Sequence, residues 1–332
     1  MTSTATPTFA ALRAADILAA ARRIAPLVER TPLRRSEQLS REAGGDVFLK
    51  LESEQVTGSF KARGASNTLA LMSEADRARG VVASSAGNHG LGVALAAKHF
   101  GAKATIFVPR TAPQVKRRGI EALGATVNAD APDYDAAMEL AIAHADEHGA
   151  TFIHPCLGDP LIAGQGTVAL EILEDLPSLG TIIVPVGGAG LLAGTGVLLR
   201  HVAPEVRIFG AQSVHTAAMA RSLAAGQVVP IPNEPTLADG LAGGIDAFAL
   251  DVGRNSLDEM VTLDEDAIAD GIRFLHETEG IVAEGSGAVG VAALRTSALR
   301  VKRFPAAIVI SGRNIDDARL EDVLARPHAA AR

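Results

Sequence analysis

Short apolar segments alternate with helical patterns along most of this chain, and that alternation constrains the fold more than any other feature. It is typical of a parallel sheet with helices packed on its faces. The predicted strands are residues 46–51, 81–84, 104–109, 125–128, 151–154, 181–186, 207–211 and 306–310. Thr262 and Glu265 are spaced as a capping box ahead of a helix at 266–279. The sequence therefore predicts an α/β protein.

Length and charge narrow the class of protein further. A chain of 332 residues exceeds the usual size of one compact core, which indicates two domains. A formal net charge of −7 offers no broad basic surface for nucleic acid. The densest basic cluster, residues 116–118, is interpreted as a solvated helix face in preference to a phosphate-binding patch. Residues 176–199 carry no charge, but two prolines and six glycines favour a strand, a loop and a helix over a membrane span.

The cysteine content and the N-terminal residues indicate the cellular compartment of the protein. Cys156 is the only cysteine, so the chain forms no intrachain disulfide and no zinc site of the cysteine type. The absence of a disulfide fits a reducing cytoplasm. Residues 1–11 lack the basic segment and long apolar run of a secretory signal. We therefore expect a cytoplasmic protein that binds neither membranes nor nucleic acid.

The segment Thr57-Gly58-Ser59-Phe60-Lys61 places one lysine at a predicted helix start near Ser59. Phe60 and the helix would hold the Lys61 amine partly desolvated, which favours the neutral nucleophile that Schiff-base chemistry requires. An arbitrary lysine is more often a solvated surface residue. The assignment of Lys61 therefore depends on other segments of the chain.

Two further segments have the small residues and strand-to-helix position of anion sites. Ser84-Ser85-Ala86-Gly87-Asn88-His89-Gly90 follows a predicted strand and opens a helix, so its free N–H groups suit a substrate carboxylate. Gly187-Gly188-Ala189-Gly190-Leu191 follows another strand and also opens a helix, as a phosphate-binding loop does.

These segments, with Ser311-Gly312-Arg313-Asn314 after the last strand, resemble the fold-type-II pyridoxal 5′-phosphate enzymes, and specifically the threonine and serine dehydratases with their serine racemase relatives. The resemblance covers residues 24–316 and includes motifs at 30–33, 162–167, 237–241 and 284–288. It implies a two-domain fold like that of the tryptophan synthase β subunit. Residues 53–153 would form a small domain inserted into a large one, residues 1–52 and 154–332, and the protein would be a homodimer or homotetramer.

The resemblance also implies a role for each site residue. Lys61 would carry the pyridoxal phosphate covalently and then remove the substrate α-proton, and Phe60 would pack beside the ring. Asn88 would contact the ring hydroxyl, and Ser311 the pyridine nitrogen. A hydroxyl partner does not force that nitrogen to stay protonated, so the ring would be a restrained electron sink.

The remaining implied contacts concern the phosphate and the substrate. Backbone N–H groups would wrap the phosphate, from Gly187, Gly188, Ala189, Gly190 and Leu191. The substrate carboxylate would bind at Ser85, Asn88 and His89, although a purely structural histidine is an alternative for His89. The family often has an unbroken run of glycines, so Ala189 is a departure, and its methyl group is tolerable only if this residue avoids positive φ.

Two other departures bear on the chemistry. Related serine racemases have a serine at the position of Ala86 that delivers a proton opposite the lysine, and an alanine cannot do so. Relatives that bind a divalent cation commonly have Glu at Gln212 and Asp near Ala218, so no strong metal site is expected here. Ala86 favours dehydration over racemisation, although Ser84 and Ser85 lie nearby and leave a racemase possible.

The function expected from the resemblance is a pyridoxal-phosphate-dependent ammonia-lyase that converts a 3-hydroxy amino acid, of the L-threonine or L-serine type, to a 2-oxo acid and ammonia. Hydroxyaspartate, phenylserine and a hydroxyectoine-derived compound are alternative substrates. A more distant alternative is an NAD(P)-dependent oxidoreductase, because residues 188–193 follow a strand and open a helix; the acidic residue expected about 20 positions later is missing. A non-catalytic relative with the same fold is the third alternative.

Overall fold

The computed structural model describes residues 12–112, 114–232 and 234–326, which contain ten β-strands and fourteen α-helices. The strands are β1 (Leu33–Ser36), β2 (Val47–Lys50), β3 (Val81–Ser84), β4 (Ala104–Pro109), β5 (Thr126–Ala131), β6 (Thr151–Phe152), β7 (Thr181–Pro185), β8 (Arg207–Ser213), β9 (Glu259–Leu263) and β10 (Ala306–Val309). The helices are α1 (Ala14–Ile24), α2 (Glu37–Ala43), α3 (Lys61–Leu71), α4 (Glu74–Arg79), α5 (Asn88–Phe100), α6 (Gln114–Ala122), α7 (Tyr134–His148), α8 (Asp159–Asp175), α9 (Gly190–Val202), α10 (Ala218–Ala225), α11 (Ala247–Ser256), α12 (Glu265–Glu277), α13 (Gly285–Arg295) and α14 (Asp317–Ala325).

The strands form two separate sheets. The larger sheet has the order β1-β2-β10-β7-β8-β9, in which only the β1–β2 pair is antiparallel. The smaller sheet has the order β5-β4-β3-β6 and is parallel throughout. Parallel sheets are stable when helices cover both faces, and the buried apolar clusters lie between these strands and the surrounding helices. The predicted α/β class is confirmed.

All eight predicted strands are present, with ends that differ by up to three residues. Strands β1 and β9 were not predicted. Both lie at the edges of the larger sheet and are partly exposed, so neither has the continuous apolar run of a central strand. The predicted capping box at Thr262 is wrong, because the helix is capped by Asp264, whose side chain accepts from Ala267 N.

Residues 176–199, which raised the question of a membrane span, contain β7, the glycine loop and the beginning of α9. This is the predicted strand, loop and helix. Among the helices that the structure describes, none is both long enough and apolar enough to cross a membrane. The N-terminal residues 1–11, where a signal was sought, lie outside the described part of the chain.

Helix α3, which begins at Lys61, is held closely between two other helices. A Cβ atom at Gly92 of α5 would lie 3.0 Å from the Lys61 carbonyl oxygen, and one at Gly164 of α8 would lie 2.6 Å from the Arg63 carbonyl oxygen. Both contacts are with backbone, which cannot move aside cheaply. Glycine at these two positions therefore allows the close approach that fixes the start of α3.

A buried ionic network lies beneath the same helix. Arg63 donates to both oxygens of Glu52 at 2.8 Å and to Glu171 at 2.6 Å, and Lys50 donates to Glu171 at 2.5 Å. Thr31 completes the network through its hydroxyl, which donates to Glu52 at 2.5 Å. Two cations and two carboxylates balance, which limits the cost of burying them.

Candidate active site

Lys61 and Ser311 are brought together by a short backbone pairing. Ser59 and Gly312 form an antiparallel bridge, the Phe60 N–H donates to Ser311 O at 3.2 Å, and the Arg313 N–H donates to Gly58 O at 2.9 Å. The Ser59 hydroxyl also accepts from Lys61 N at 3.2 Å, so the helix begins at Lys61 and not at Ser59. Ser311, at 3% exposure, follows β10 directly.

The Lys61 amine points towards the loop between β6 and α8. Its Nζ donates to Pro155 O at 2.8 Å and lies 4.0 Å from the Cys156 sulfur. The ring of Phe60 lies 5.3 Å from the same Nζ. The side chain is only partly buried. Lys61 therefore has a fixed direction while its amine stays accessible to a ligand.

The glycine loop approaches the same point from the other side. A Cβ atom at Gly188 would lie 2.6 Å from the Cys156 sulfur, and one at Gly187 would lie 3.0 Å from Leu241 Cα. Larger side chains would fill this space. The loop ends at Gly190, the first residue of the 13-residue helix α9, and Leu191 follows it in the first turn. Its backbone N–H groups and the helix dipole suit a phosphate, so the residues fit pyridoxal phosphate.

Ala189 contradicts the expectation that this residue avoids positive φ. Its φ is 67° and its ψ is 2°, the left-handed region, although it is not a glycine. The chain must reverse direction sharply between β7 and α9, and Ala189 sits at the N-cap of that helix. The methyl group is accommodated at a conformational cost of roughly 1–2 kcal/mol.

Asn88, the first residue of α5, is held on both sides by residues from the larger sheet's side of the molecule. Its Nδ2 donates to Glu284 Oε1 at 2.7 Å, and its Oδ1 accepts from Asn314 Nδ2 at 2.6 Å. A Cβ atom at Gly312 would lie 3.1 Å from Asn88 Nδ2. Asn88, Lys61 and Ser311 therefore surround one space.

His89 does not direct its side chain to a ligand. Its Nε2 lies 2.9 Å from Ile153 O, and because a carbonyl only accepts, that nitrogen carries the proton. Burial lowers the pKa of His89 to about 3, so the ring is neutral. The Nε2 contact agrees with the structural alternative for His89, and its backbone N–H at the start of α5 suits a carboxylate. Ser85, in the same turn, is half-buried and accepts from Gly87 N at 3.2 Å.

His154 shapes the loop that faces Lys61. Its Nδ1 accepts from Cys156 N at 3.1 Å and from Leu157 N at 3.0 Å. Burial lowers the pKa of His154 to about 4, which keeps Nδ1 available as an acceptor at neutral pH. The imidazole therefore fixes the Pro155 carbonyl and the Cys156 thiol beside the lysine.

Sequence reasoning assigned no role to Glu284, Asn314, His154 or Cys156. Glu284 and Asn314 belong to motifs that contributed to the resemblance. The sequence therefore marked both residues but did not indicate what they do. The residues from His154 to Cys156 follow a predicted strand end, the usual place for site residues in an open parallel sheet. That position was the available signal for the loop.

Gln212 and Ala218, where relatives that bind a cation commonly have carboxylates, lie near the start of α10. The Gln212 side-chain oxygen accepts from Ala220 N at 3.1 Å, in the first turn of α10, which begins at Ala218. Within residues 12–112, 114–232 and 234–326, no cluster of three or more His, Cys, Asp or Glu side chains is arranged to hold a metal ion.

The chain is similar to known proteins over most of its length. The family model described as pyridoxal-phosphate dependent enzyme matches residues 24–312. L-threonine ammonia-lyase of Thermotoga maritima is 47% identical over 302 residues, 91% of this chain and 75% of that protein. Two solved structures superpose closely. Maize serine racemase has a TM-score of 0.90 at 34% identity, covering 94% of this chain and 96% of that one. Threonine deaminase isoform 2 of Solanum lycopersicum has a TM-score of 0.89 at 32% identity, covering 94% and 92%.

These matches confirm the predicted family, fold type and cofactor class. They also remove the oxidoreductase alternative, since the glycine loop belongs to a matched pyridoxal-phosphate fold. The chain belongs to the family of pyridoxal-phosphate-dependent enzymes, with the fold-type-II architecture.

Proposed function

We propose that this protein is an ammonia-lyase that converts L-threonine or L-serine to the corresponding 2-oxo acid and ammonia. The observation that carries the proposal is the convergence of the Lys61 amine with the glycine loop, through the Cys156 thiol that both approach. The relative from Thermotoga maritima, named for this activity, supports it. So does the threonine deaminase of Solanum lycopersicum.

In the proposed site the N–H groups of residues 187–191 would hold the phosphate, Lys61 would hold the cofactor covalently, and Phe60 would lie beside the ring. Asn88 and Ser311 would contact the ring oxygen and the ring nitrogen. Bound pyridoxal phosphate supplies an electron sink for charge that develops at the substrate α-carbon. The N–H groups at the start of α5, near Ser85, Asn88 and His89, orient the substrate carboxylate.

Lys61 is the proposed base. With its amine free, Lys61 Nζ would take the α-proton of the substrate, and the 3-hydroxyl would leave together with a proton as water. The resulting enamine is hydrolysed to the 2-oxo acid and ammonia, so the water lost is regained and the reaction needs no oxidant. The Pro155 carbonyl accepts from Nζ at 2.8 Å, and this hydrogen bond would hold the free amine in the site.

The two imidazoles near Lys61 offer no positive charge to a substrate side chain. A second carboxylate, as in hydroxyaspartate, would need a cationic partner. His89 and His154 are both neutral, because burial lowers their pKa values to about 3 and about 4. Neither imidazole supplies that charge, so we rank hydroxyaspartate below threonine and serine.

A substrate panel tests the proposal. L-threonine, L-serine, 3-hydroxyaspartate, phenylserine and a hydroxyectoine-derived amino acid are assayed for ammonia and 2-oxo acid release. We expect the first two to be turned over fastest. Lys61→Ala should abolish turnover and the visible absorbance of the bound cofactor, and borohydride reduction should label Lys61 in the wild type. Label on another lysine, or no release from any hydroxy amino acid, would contradict the proposal.

Three expectations from the sequence belong to the same proposal. Residues 53–153, which contain the smaller sheet, form the inserted small domain, and residues 1–52 and 154–332 the large one. The protein works as a homodimer or homotetramer, and it does so in the cytoplasm, where the single cysteine stays reduced. Light scattering of the purified protein measures the oligomeric state, and a monomer would refute that part.

A further inference from the structure

We propose that Glu284 and Asn314 are positioning residues that hold the Asn88 side-chain amide in one orientation, with an N–H group presented to the site and the amide oxygen turned away. The inference rests on the proposed function, in which Asn88 contacts the ring oxygen of the cofactor. It assigns a task to two residues that have no role in the reaction as described above.

The orientation of Asn88 follows from one fixed acceptor. Asn314 Nδ2 donates to the backbone carbonyl of Thr57 at 2.8 Å, and a carbonyl cannot donate. The same Nδ2 lies 2.6 Å from the Asn88 side chain, which must therefore offer its oxygen there. The Asn88 nitrogen then faces Glu284 Oε1, an acceptor, at 2.7 Å. Only this orientation of the Asn88 amide lets the Nδ2 groups of Asn314 and Asn88 both face acceptors.

The arrangement decides what Asn88 offers to a ligand. Its oxygen already accepts from Asn314, and one of the two Nδ2 hydrogens is given to Glu284. One N–H group is left. Asn88 can therefore donate to a ring oxygen but is not directed to accept from it. A donor stabilises the anionic form of that oxygen over the protonated form.

The two positioning residues are fixed to the same turn. Glu284 N donates to Gly312 O at 3.0 Å, and Asn314 lies two residues beyond Gly312. A Cβ atom at Gly312 would lie 2.7 Å from Glu284 Oε1 and 3.1 Å from Asn88 Nδ2. The absence of a side chain at Gly312 therefore leaves the Glu284–Asn88 hydrogen bond room to form.

Glu284 is buried at 6% exposure, and charged groups face it from three other elements. Burial, followed by the nearby charge of Asp239, raises the pKa of Glu284 to about 7, while Lys116 and Lys61 oppose that rise. Lys116 is not the solvated side chain expected from the sequence, since it lies 4.0 Å from Asp239 and 3.7 Å from Asp316. Protonated or ionised, Glu284 keeps an oxygen that accepts from Asn88, so titration leaves the orientation intact.

Three variants of the holoenzyme test the inference: Glu284→Ala, Asn314→Ala and Glu284→Gln. The two alanine variants each remove one hydrogen bond to Asn88, so we expect kcat/KM for L-threonine to fall roughly tenfold. The visible absorbance of the bound cofactor should shift in both variants. The Leu91 amide, which donates to Gly87 O, should exchange its hydrogen with solvent roughly several-fold faster, because one contact near the start of α5 is lost. Glu284→Gln keeps an acceptor and should stay within about twofold of wild type.

Asn255→Ala, which removes an amide from the exposed surface of α11, is the matched control and should change none of these readouts. The inference is overturned if Glu284→Gln is as damaging as Glu284→Ala, because charge and not orientation would then matter. It is equally overturned if the cofactor spectrum and the Leu91 exchange are unchanged in both alanine variants. If the wild type turns over no hydroxy amino acid, the proposed function fails, and the spectrum and exchange still decide the role of Glu284 and Asn314.

Discussion

Arg63 and Glu171 form a buried ion pair with 2.6 Å between nitrogen and oxygen, and it joins α3, the helix that begins at Lys61, to α8. Arg63 lies two residues beyond Lys61 and also chelates Glu52, at the end of β2. Burial alone would raise the pKa of Glu52, but Arg63 outweighs that effect and the pKa is lowered. The start of α3 is thus anchored through charges that are almost wholly buried.

Replacement of Arg63 by Met should destabilise the protein strongly. Glu52 and Glu171 would stay buried with only Lys50 to balance them, and removal of one partner of a buried pair costs about 3–5 kcal/mol. Urea unfolding of the holoenzyme measures the change. Arg79→Met is the control. Because that arginine is half-exposed, its replacement should change the free energy of unfolding by less than about 1 kcal/mol. A loss for Arg63→Met no larger than the control would show that the network does not stabilise α3.

Ala189→Gly should increase stability, because it removes the strain of a side chain in the left-handed region at φ 67°. We expect a gain of about 1 kcal/mol, since the relief of roughly 1–2 kcal/mol is partly offset by the greater freedom of glycine in the unfolded chain. Ala143→Gly, in the middle of α7, is the matched control and should cost about 0.5–1 kcal/mol. A melting temperature for Ala189→Gly at or below that of wild type would contradict the strain argument.

Much of the site could be read from the sequence because most of its segments follow a strand end. Asn88, the glycine loop and Ser311 lie shortly after the ends of β3, β7 and β10, whereas Lys61 lies at the start of α3, and the structure brings these residues to one space. Local patterns predict such sites, because a strand followed by small residues and a helix has a turn with free backbone N–H groups.

The contacts between these segments could not be read in the same way. Glu284 and Asn88 are 196 residues apart, and no local rule places them 2.7 Å from each other. The left-handed conformation of Ala189 was also not predicted, because the turn between β7 and α9 overrides the preference of alanine for negative φ. Strands β1 and β9 were missed for a third reason, namely that edge strands show too little apolar pattern.

Glu284 should make the stability of the protein pH-dependent. Burial raises its pKa from 4.5 to about 7, so between these values the folded state holds a proton that the unfolded state has released. The contribution of Glu284 is therefore complete below about pH 4.5 and is lost as pH rises through 7. The difference in free energy of unfolding between wild type and Glu284→Gln, measured by urea from pH 5 to 8, should fall with rising pH. A difference that is flat across this range would contradict it.

Chelators should have little effect on turnover. The resemblance implies that Gln212 stands in place of a carboxylate that binds a hard cation, and its side-chain oxygen is already used to accept from Ala220 N. We expect EDTA to change the rate of 2-oxo acid release by less than about twofold, the loss of a weak contact at most. Gln212→Glu offers a comparison, since it restores the charged ligand. A large loss in the wild type that Mg²⁺ restores would contradict this argument.

The enzyme should dehydrate its substrate much faster than it racemises it. The resemblance to serine racemases implies that Ala86 stands in place of a proton-delivering serine, and a positioned acid or base is worth roughly a hundredfold or more in rate. Chiral chromatography of residual L-serine, run beside a 2-oxo acid assay, compares the two reactions. Ala86→Ser should raise the formation of D-serine, whereas Ser84→Ala should not lower it, which tests whether the buried Ser84 hydroxyl delivers the proton instead. Wild-type D-serine formation at the rate of oxo-acid release would show that another group protonates that face.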